Sequence, residues 1–382
     1  MISRYDCPEI RDIWSEQNKY LLWTQVELTF LKHFRRVSVE IPSSFREEWI
    51  TEIQNIEKTT KHDLAAFVQW LETYLESKIG AEARFVHYGL TSSDIVDTAF
   101  SLMIQETDET IVHLSKKVLI AIDDLEKKYG KLEMLGRTHG QAAEKILFKN
   151  KLSAYRSQIL YFCPMGKEYF GRLAGSVGDY KYFKKQVEID ALRDLRLVSC
   201  SVNDGQVIHR ALYARYLNNW ATLASVLAKI ALDIRLLAQT GIAELREGFA
   251  KGQMGSSSMP QKRNPILCEN LCGLARVIRG YQATAMQNIE LWNERDISHS
   301  SAERMVFPDA AVLLGFMITR LALILKDLYV DGEIMLKNIK QVERDISGQE
   351  HMLALISDGM SRKDAHELMK KELLSHNKVI EI

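Results

Sequence analysis

The segment GQMGSSSMPQKRNP, residues 252–265, packs two glycines, three serines, two prolines and the run Lys262-Arg263-Asn264 into fourteen residues. Glycines let a backbone turn its amides and hydroxyls toward a ligand, and cations beside an amide donor suit carboxylates. Pro265 sets the first turn of a following helix, whose unpaired amides favour an anion. The segment reads as a loop closing over an anionic substrate; the same composition also describes a solvated linker. His139, in GRTHG between Arg137 and Glu144, can act as general acid or base near neutral pH. His62 in KHD and His87 in VHYGLTSSD have the same capacity, and each also fits a structural role. NERDISHSSAER spaces Arg295, Ser300 and Arg304 five and four residues apart. On a helix, positions 300 and 304 share a face, so two guanidiniums and a hydroxyl could clamp a phosphate or carboxylate, or form a solvated charged face.

Long helices must position these residues. The chain has six prolines, and none falls between Ser43 and Cys163 or between Met165 and Met259. Proline breaks helix interiors, so such stretches leave room for long helices. Tyr213, Tyr216, Trp220, Leu223, Leu227, Ile230, Ile234 and Leu237 follow one another at alternating steps of three and four. That is the seam of a helix packed in a bundle. Period-two alternation is nearly absent, so the fold class is all-α. Four polar junctions break the helical pattern: 83–94, GRTHG at 136–140, GRLAGSVGDY at 171–180, and 252–265. Polar loops on a rigid frame are where catalytic residues gather.

Composition narrows the classes. Fifty Lys+Arg balance fifty Asp+Glu over 382 residues, which argues against a nucleic-acid-wrapping protein. No apolar run approaches bilayer length, the N-terminus MISRYDCPEI lacks a signal-peptide pattern, and the five scattered cysteines suit a reducing cytoplasm. Cys268 and Cys272 lack zinc-like partners and read as packed small apolar residues. Phosphate-loop, dinucleotide and nucleophile-elbow motifs are missing.

Taken together, the segments resemble a known family. GSSSMPQKRNP is similar to the GSSxMPxKxNP signature of the fumarase/aspartase superfamily. RYDCPEI, KHDLAAF, VHYGLTSSDIVDTA, GRTHGQ, ARVIRGY and WNERDISHSSAER resemble, in order from residue 4 to 304, the adenylosuccinate lyase family; the likeness runs more weakly to about residue 370. The resemblance implies a long-helix bundle of three helical domains, 1–106, 107–345 and a shortened 346–382. It implies fumarate-releasing β-elimination of adenylosuccinate and of succinyl-aminoimidazole-carboxamide ribotide, in purine biosynthesis, with no metal or organic cofactor. Family members are cytoplasmic homotetramers whose active sites each draw residues from three chains, with no nucleic-acid or membrane partner.

By the same resemblance Ser256 is the base and His139 the acid, oriented by Glu269. Lys262 and Asn264 hold a substrate carboxylate, with Ser257 beside them. His62 positions substrate between Lys61 and Asp63; Arg4, Tyr5, Thr91, Ser92 and Gln206 match substrate-binding positions; His87 is a phosphate-side histidine; Arg295, Ser300 and Arg304 form the nucleotide-side clamp. Lys61 replaces the family's arginine, Gln261 its histidine, and Arg210-Ala211-Leu212-Tyr213 its Arg-Asp-Arg-His run. The GAVGTYA-like segment is GSVGDYKYF, with Asp179 and Lys181. GRTHGQAAEK lacks the proline that commonly follows the histidine, and the chain stops early in the C-terminal domain. Such departures suit a paralogue that releases fumarate from another N-succinyl adduct; a binding protein without turnover is a third reading.

Overall fold

A computed structural model describes residues 3–164, 168–200, 205–249, 252, 258–259 and 261–374. The protein is mostly helical, as the apolar spacing predicts. It divides into two compact units: Met1–Lys116, Phe162–Leu227 and Gly273–Thr319 form one, and Lys117–Tyr161, Ala228–Cys272 and Arg320–Ile382 the other.

The first unit opens with helices α1 (Glu16–Arg35), α2 (Glu47–Thr60) and α3 (Asp63–Ile79). Ser15 starts α1 by accepting the Asn18 amide at 3.2 Å, and left-handed Arg36 ends it. An aromatic cluster of Tyr20, Trp23, Phe45, Phe67 and Trp70 ties these helices together. Next come the first part of the 38-residue α4 (Ser92–Tyr129) and, further along, α6 (Lys185–Asp194). The unit also holds the first part of α7 (Arg210–Leu237), the later part of α8 (Ile266–Gln287) and all but the last turns of α9 (Ser298–Lys326). Trp220 packs edge-on to Phe307 at 5.8 Å, and Phe100 lies 5.1 Å from Phe307. Beneath them the buried Asp108 accepts Trp220 Nε1 at 2.6 Å and the Tyr169 hydroxyl at 2.8 Å.

The second unit holds a β-hairpin, β1 (Glu133–Thr138) and β2 (Gln141–Leu147), followed by α5 (Phe148–Phe162), of which all but the last residue belongs here. Four short helices follow α9 among the described residues: α10 (Gly332–Gln341), a single turn at Glu343–Ile346, α11 (Gly348–Ser357) and α12 (Arg362–Leu374). Helix α10 packs on β1. The hairpin corrects the expectation that GRTHG interrupts a helical stretch: His139 and Gly140, at φ 54° and 77°, make the two-residue turn. Positive φ at both central residues matches the right-handed twist of paired strands.

All eight residues of the predicted seam on α7 are buried. The expectation of no apolar stretch of bilayer length needs amending. Helix α9 is long and apolar enough by length and composition, yet 67% of its most apolar window is buried inside the protein. Core packing explains that composition. Pro308 sits inside α9 and offers no amide to the Arg304 carbonyl one turn earlier, which marks off the first turns of the helix from the rest.

Replacing Trp220 with Phe keeps an aromatic ring but removes the donor to buried Asp108. Urea unfolding should show a loss of about 1–3 kcal/mol; an unchanged midpoint would contradict this account.

Candidate active site

In the first unit, the polar junction at Thr91 begins with a buried carboxylate. Asp94 accepts the amides of Thr91 (2.8 Å), Ala174 (2.8 Å) and Gly175 (3.0 Å), so it fastens the start of α4 to the 171–180 loop. That loop turns through left-handed Gly175 and Gly178, at φ 84° and 77°, where other residues would be strained. Burial pushes the Asp94 carboxyl up to about 7, against the three amides and nearby His87, which favour its charge. His87 is itself left-handed, and its Nδ1 lies 2.6 Å from Glu27 Oε1, while its amide donates to Glu27 Oε2 at 3.1 Å. Burial disfavours the imidazolium, but the buried Glu27 carboxylate outweighs it and the His87 pKa is raised.

Gln206 joins three segments. Its amide nitrogen donates to the Ser176 carbonyl at 2.7 Å, and its oxygen accepts from Ser93 at 3.2 Å and from Arg295 at 2.9 Å. Two predicted positions, Gln206 and Arg295, thus come together, with Ser93, the neighbour of the predicted Ser92, beside them. Arg304, on the first turns of α9, donates to Asp63 at 2.6 Å. Burial raises the Asp63 carboxyl, and the Arg304 guanidinium with the Leu64 amide more than offsets it, so the net shift is downward. His62 is the N-cap of α3, its Nδ1 accepting the Ala65 amide at 3.3 Å, and Lys61 caps α2 in the left-handed region. The Tyr5 ring meets Phe316 edge-on at 5.3 Å, and Arg4 is exposed beside it in the chain. Ser300 lies on α9 one turn before Arg304.

The sequence reading noted Arg210 without giving it a role. It is 1% exposed, grips Asp97 with both terminal nitrogens at 2.6 and 2.9 Å, and reaches Glu303 through Nε at 2.9 Å. Only its partners, 113 and 93 residues away, reveal this.

In the second unit, Arg137 in the hairpin stem is bidentate to the fully buried Glu244, at 2.7 and 3.1 Å, and Asn338 donates to the same carboxylate at 2.8 Å. This anchors the turn that exposes His139. Gly136, Arg137, Thr138 and Gly140 line a cavity of about 870 Å³ with Asp233 and Gln239. Lys262 is exposed, Asn264 half-buried, and Glu269 exposed in the first turn of α8. The amides of that turn were expected to await an anion. They are already engaged, because Glu247 accepts the Cys268 amide at 2.6 Å and the Leu267 amide at 3.2 Å. An internal carboxylate thus takes the place of an outside one. Ser256 and Ser257 lie outside the described residues. Among the described residues no group of three or more His, Cys, Asp or Glu could hold a metal ion.

A family model described as Lyase matches residues 23–280. The chain is 36% identical over 386 residues to the adenylosuccinate lyases of Bacillus subtilis (strain 168) and Thermotoga maritima, spanning 98% of this chain and 88% of each relative. It is 38% identical over 383 residues to that of Streptococcus mutans, spanning 97% and 87%. The fumarate lyase from Mesorhizobium sp. BNC1 superposes with a TM-score of 0.79 at 19% identity, covering 98% of this chain and 89% of that one. The 3-carboxy-cis,cis-muconate lactonizing enzyme from Pseudomonas putida gives 0.77 at 21%, covering 96% and 85%. At those identities the two structures speak to the fold alone.

A histidine whose folded pKa is raised contributes stability that is complete below about 6.5 and is lost as pH climbs through the raised midpoint. Glu27→Gln should move the His87 titration midpoint down, read by NMR of the imidazole nitrogens. A midpoint that stays in place would remove Glu27 as the cause.

Proposed function

This chain belongs to the adenylosuccinate lyase family of the fumarase/aspartase superfamily and is a lyase; on that premise we propose that it eliminates fumarate from adenylosuccinate, leaving AMP, and from succinyl-aminoimidazole-carboxamide ribotide. The observation that carries the reading is identity above a third along almost the whole chain to relatives of that name.

In the proposed reaction, the Ser256 oxygen takes a proton from the carbon beside a substrate carboxylate. The electrons left behind collect on that carboxylate, where Lys262 and Asn264 stabilise them. They then form the carbon–carbon double bond as the C–N bond breaks. His139, oriented by Glu269, protonates the departing nitrogen. A serine is a poor base in water, so closure of the 252–265 loop and the Lys262 cation must activate it. Ser257 would add a hydroxyl beside the reacting carboxylate.

On the other half of the substrate, Arg295, Ser300 and Arg304 would hold the nucleotide, with His87 on its phosphate. Arg4, Tyr5, Lys61, His62, Asp63, Thr91, Ser92 and Gln206 would line the site. The Gln206–Arg295 and Asp63–Arg304 contacts support this grouping. Raised basicity at His87 suits a phosphate contact, since the imidazolium is the form that attracts one.

We further propose a cytoplasmic homotetramer in which each site takes residues from three subunits. Exposed apolar side chains on the long helices, among them Ile120, Leu232, Leu236, Val277 and Leu323, support burial against other copies.

Fumarate release from adenylosuccinate, followed by ultraviolet absorbance, tests the reading. Wild type should turn over, and Ser256→Ala should lose about 10²-fold or more in kcat. A folded wild type that ignores adenylosuccinate yet releases fumarate from another N-succinyl adduct would transfer the reading to a paralogous lyase.

A further inference from the structure

The first unit contains a buried charge cluster that the proposed chemistry does not use. Arg210, from the first turn of α7, bridges Asp97 on α4 and Glu303 on α9. Its Nη1 also donates to the Ile208 carbonyl at 2.8 Å, and the Ile208 amide donates to Asp97 at 3.1 Å. His299 Nδ1 sits 3.0 Å from Arg210 and 2.8 Å from Glu303 Oε2. All four side chains are buried.

Each member lies within five residues of a position of the expected substrate site. Asp97 follows Ser92 by five residues on the same helix, and Arg210 follows Gln206 by four. His299 and Glu303, four apart, share one face of α9, while Ser300 and Arg304 share the face about 100° further round. Locking the first pair inward therefore fixes the direction in which the second pair points. Pro308 leaves these first turns short of one helical hydrogen bond, so they depend more on the cluster for their placement.

We propose that Arg210 is a positioning residue for the nucleotide-side clamp: by holding Asp97, His299 and Glu303 together, it sets the direction in which Ser300 and Arg304 point, with Arg304 turned to Asp63 at the start of α3. The inference rests on the lyase reading of those two residues. A planar guanidinium can face two carboxylates on two helices at once, whereas a lysine ammonium offers a single point of charge. Arg210→Lys therefore keeps the charge and loses the register. Glu303→Gln keeps the shape and loses the charge on the α9 side.

Both variants should raise KM for adenylosuccinate by about 10- to 100-fold with kcat within about threefold of wild type, the pattern of lost clamp binding rather than lost chemistry. Calorimetry should show AMP binding weakened in parallel. Trp220→Phe, which removes a buried donor to Asp108 while keeping an aromatic ring against Phe307, should lower Tm and leave KM and AMP affinity alone. The proposal is overturned if Arg210→Lys and Glu303→Gln lower Tm as Trp220→Phe does while KM and AMP affinity stay at wild-type values, or if kcat alone falls. Should wild type fail to turn over adenylosuccinate, the substrate reading falls by itself and AMP affinity decides the positioning role. Weaker binding in both variants than in wild type would sustain it, and no AMP binding by wild type would end it.

Discussion

A guanidinium removed from water is costly, by several kcal/mol for an isolated charge, and tolerable only where carboxylates meet it with good geometry. Arg210 satisfies that condition with two acids from two different helices. The constraint runs in both directions. Burial works against the charge on Arg210, and Asp97 and Glu303 outweigh it, so the guanidinium stays charged and the two acids keep their partner. A slip of either helix by one residue would leave a buried charge unpaired. The registers of α4, α7 and α9 within the first unit are therefore coupled far more tightly than apolar packing would require, since apolar side chains tolerate sliding and ion pairs do not.

Buried or half-buried acids recur where polar loops meet helices. Asp94 holds three backbone amides; Glu188 takes the Leu173 amide, the Tyr180 hydroxyl and the Ser199 hydroxyl. In the second unit Glu244 receives Arg137 and Asn338, and Glu247 receives the first amides of α8. A mostly helical frame offers few sheet edges on which to pin loops, so many loop amides find acceptors among side chains. A carboxylate offers more lone pairs than any neutral side chain, which makes it the economical fastener. The consequence for function is rigidity at the junctions that carry Thr91, Gln206 and His139.

Local pattern was legible in the sequence, and distant pairing was not. The seam from Tyr213 to Leu237 repeats with the period of a packed helix, and every member is buried. The polar junctions stood out because Gly, Ser and Pro interrupt that period, and their motifs identified the family. The hairpin escaped notice because EMLGRTHGQAAEKIL lacks strict alternation, and His-Gly is not a usual turn pair. The first turn of α8 looked free because its acceptor, Glu247, stands 20 residues ahead of the Leu267 amide. The Arg304–Asp63 pair, 241 residues apart, had no local signal at all, although both residues were expected in one site.

The altered stretch Arg210-Ala211-Leu212-Tyr213 gains a different meaning from these contacts. Its departure from the family pattern suggested a changed substrate, yet its two largest side chains are in the core. Arg210 takes the Asp97 carboxylate while the Tyr213 hydroxyl donates to the Asp97 carbonyl at 2.8 Å, and the guanidinium lies over the Tyr213 ring at 4.8 Å. Tyrosine at this position therefore completes the buried cluster and has no need of a ligand to explain it. Asp179 and Lys181 face solvent, on the loop whose Ser176 carbonyl binds Gln206, and the replaced positions Lys61 and Gln261 are exposed as well. A change in substrate preference belongs to exposed positions such as these, because only exposed side chains can meet a ligand without dismantling the charge cluster beneath.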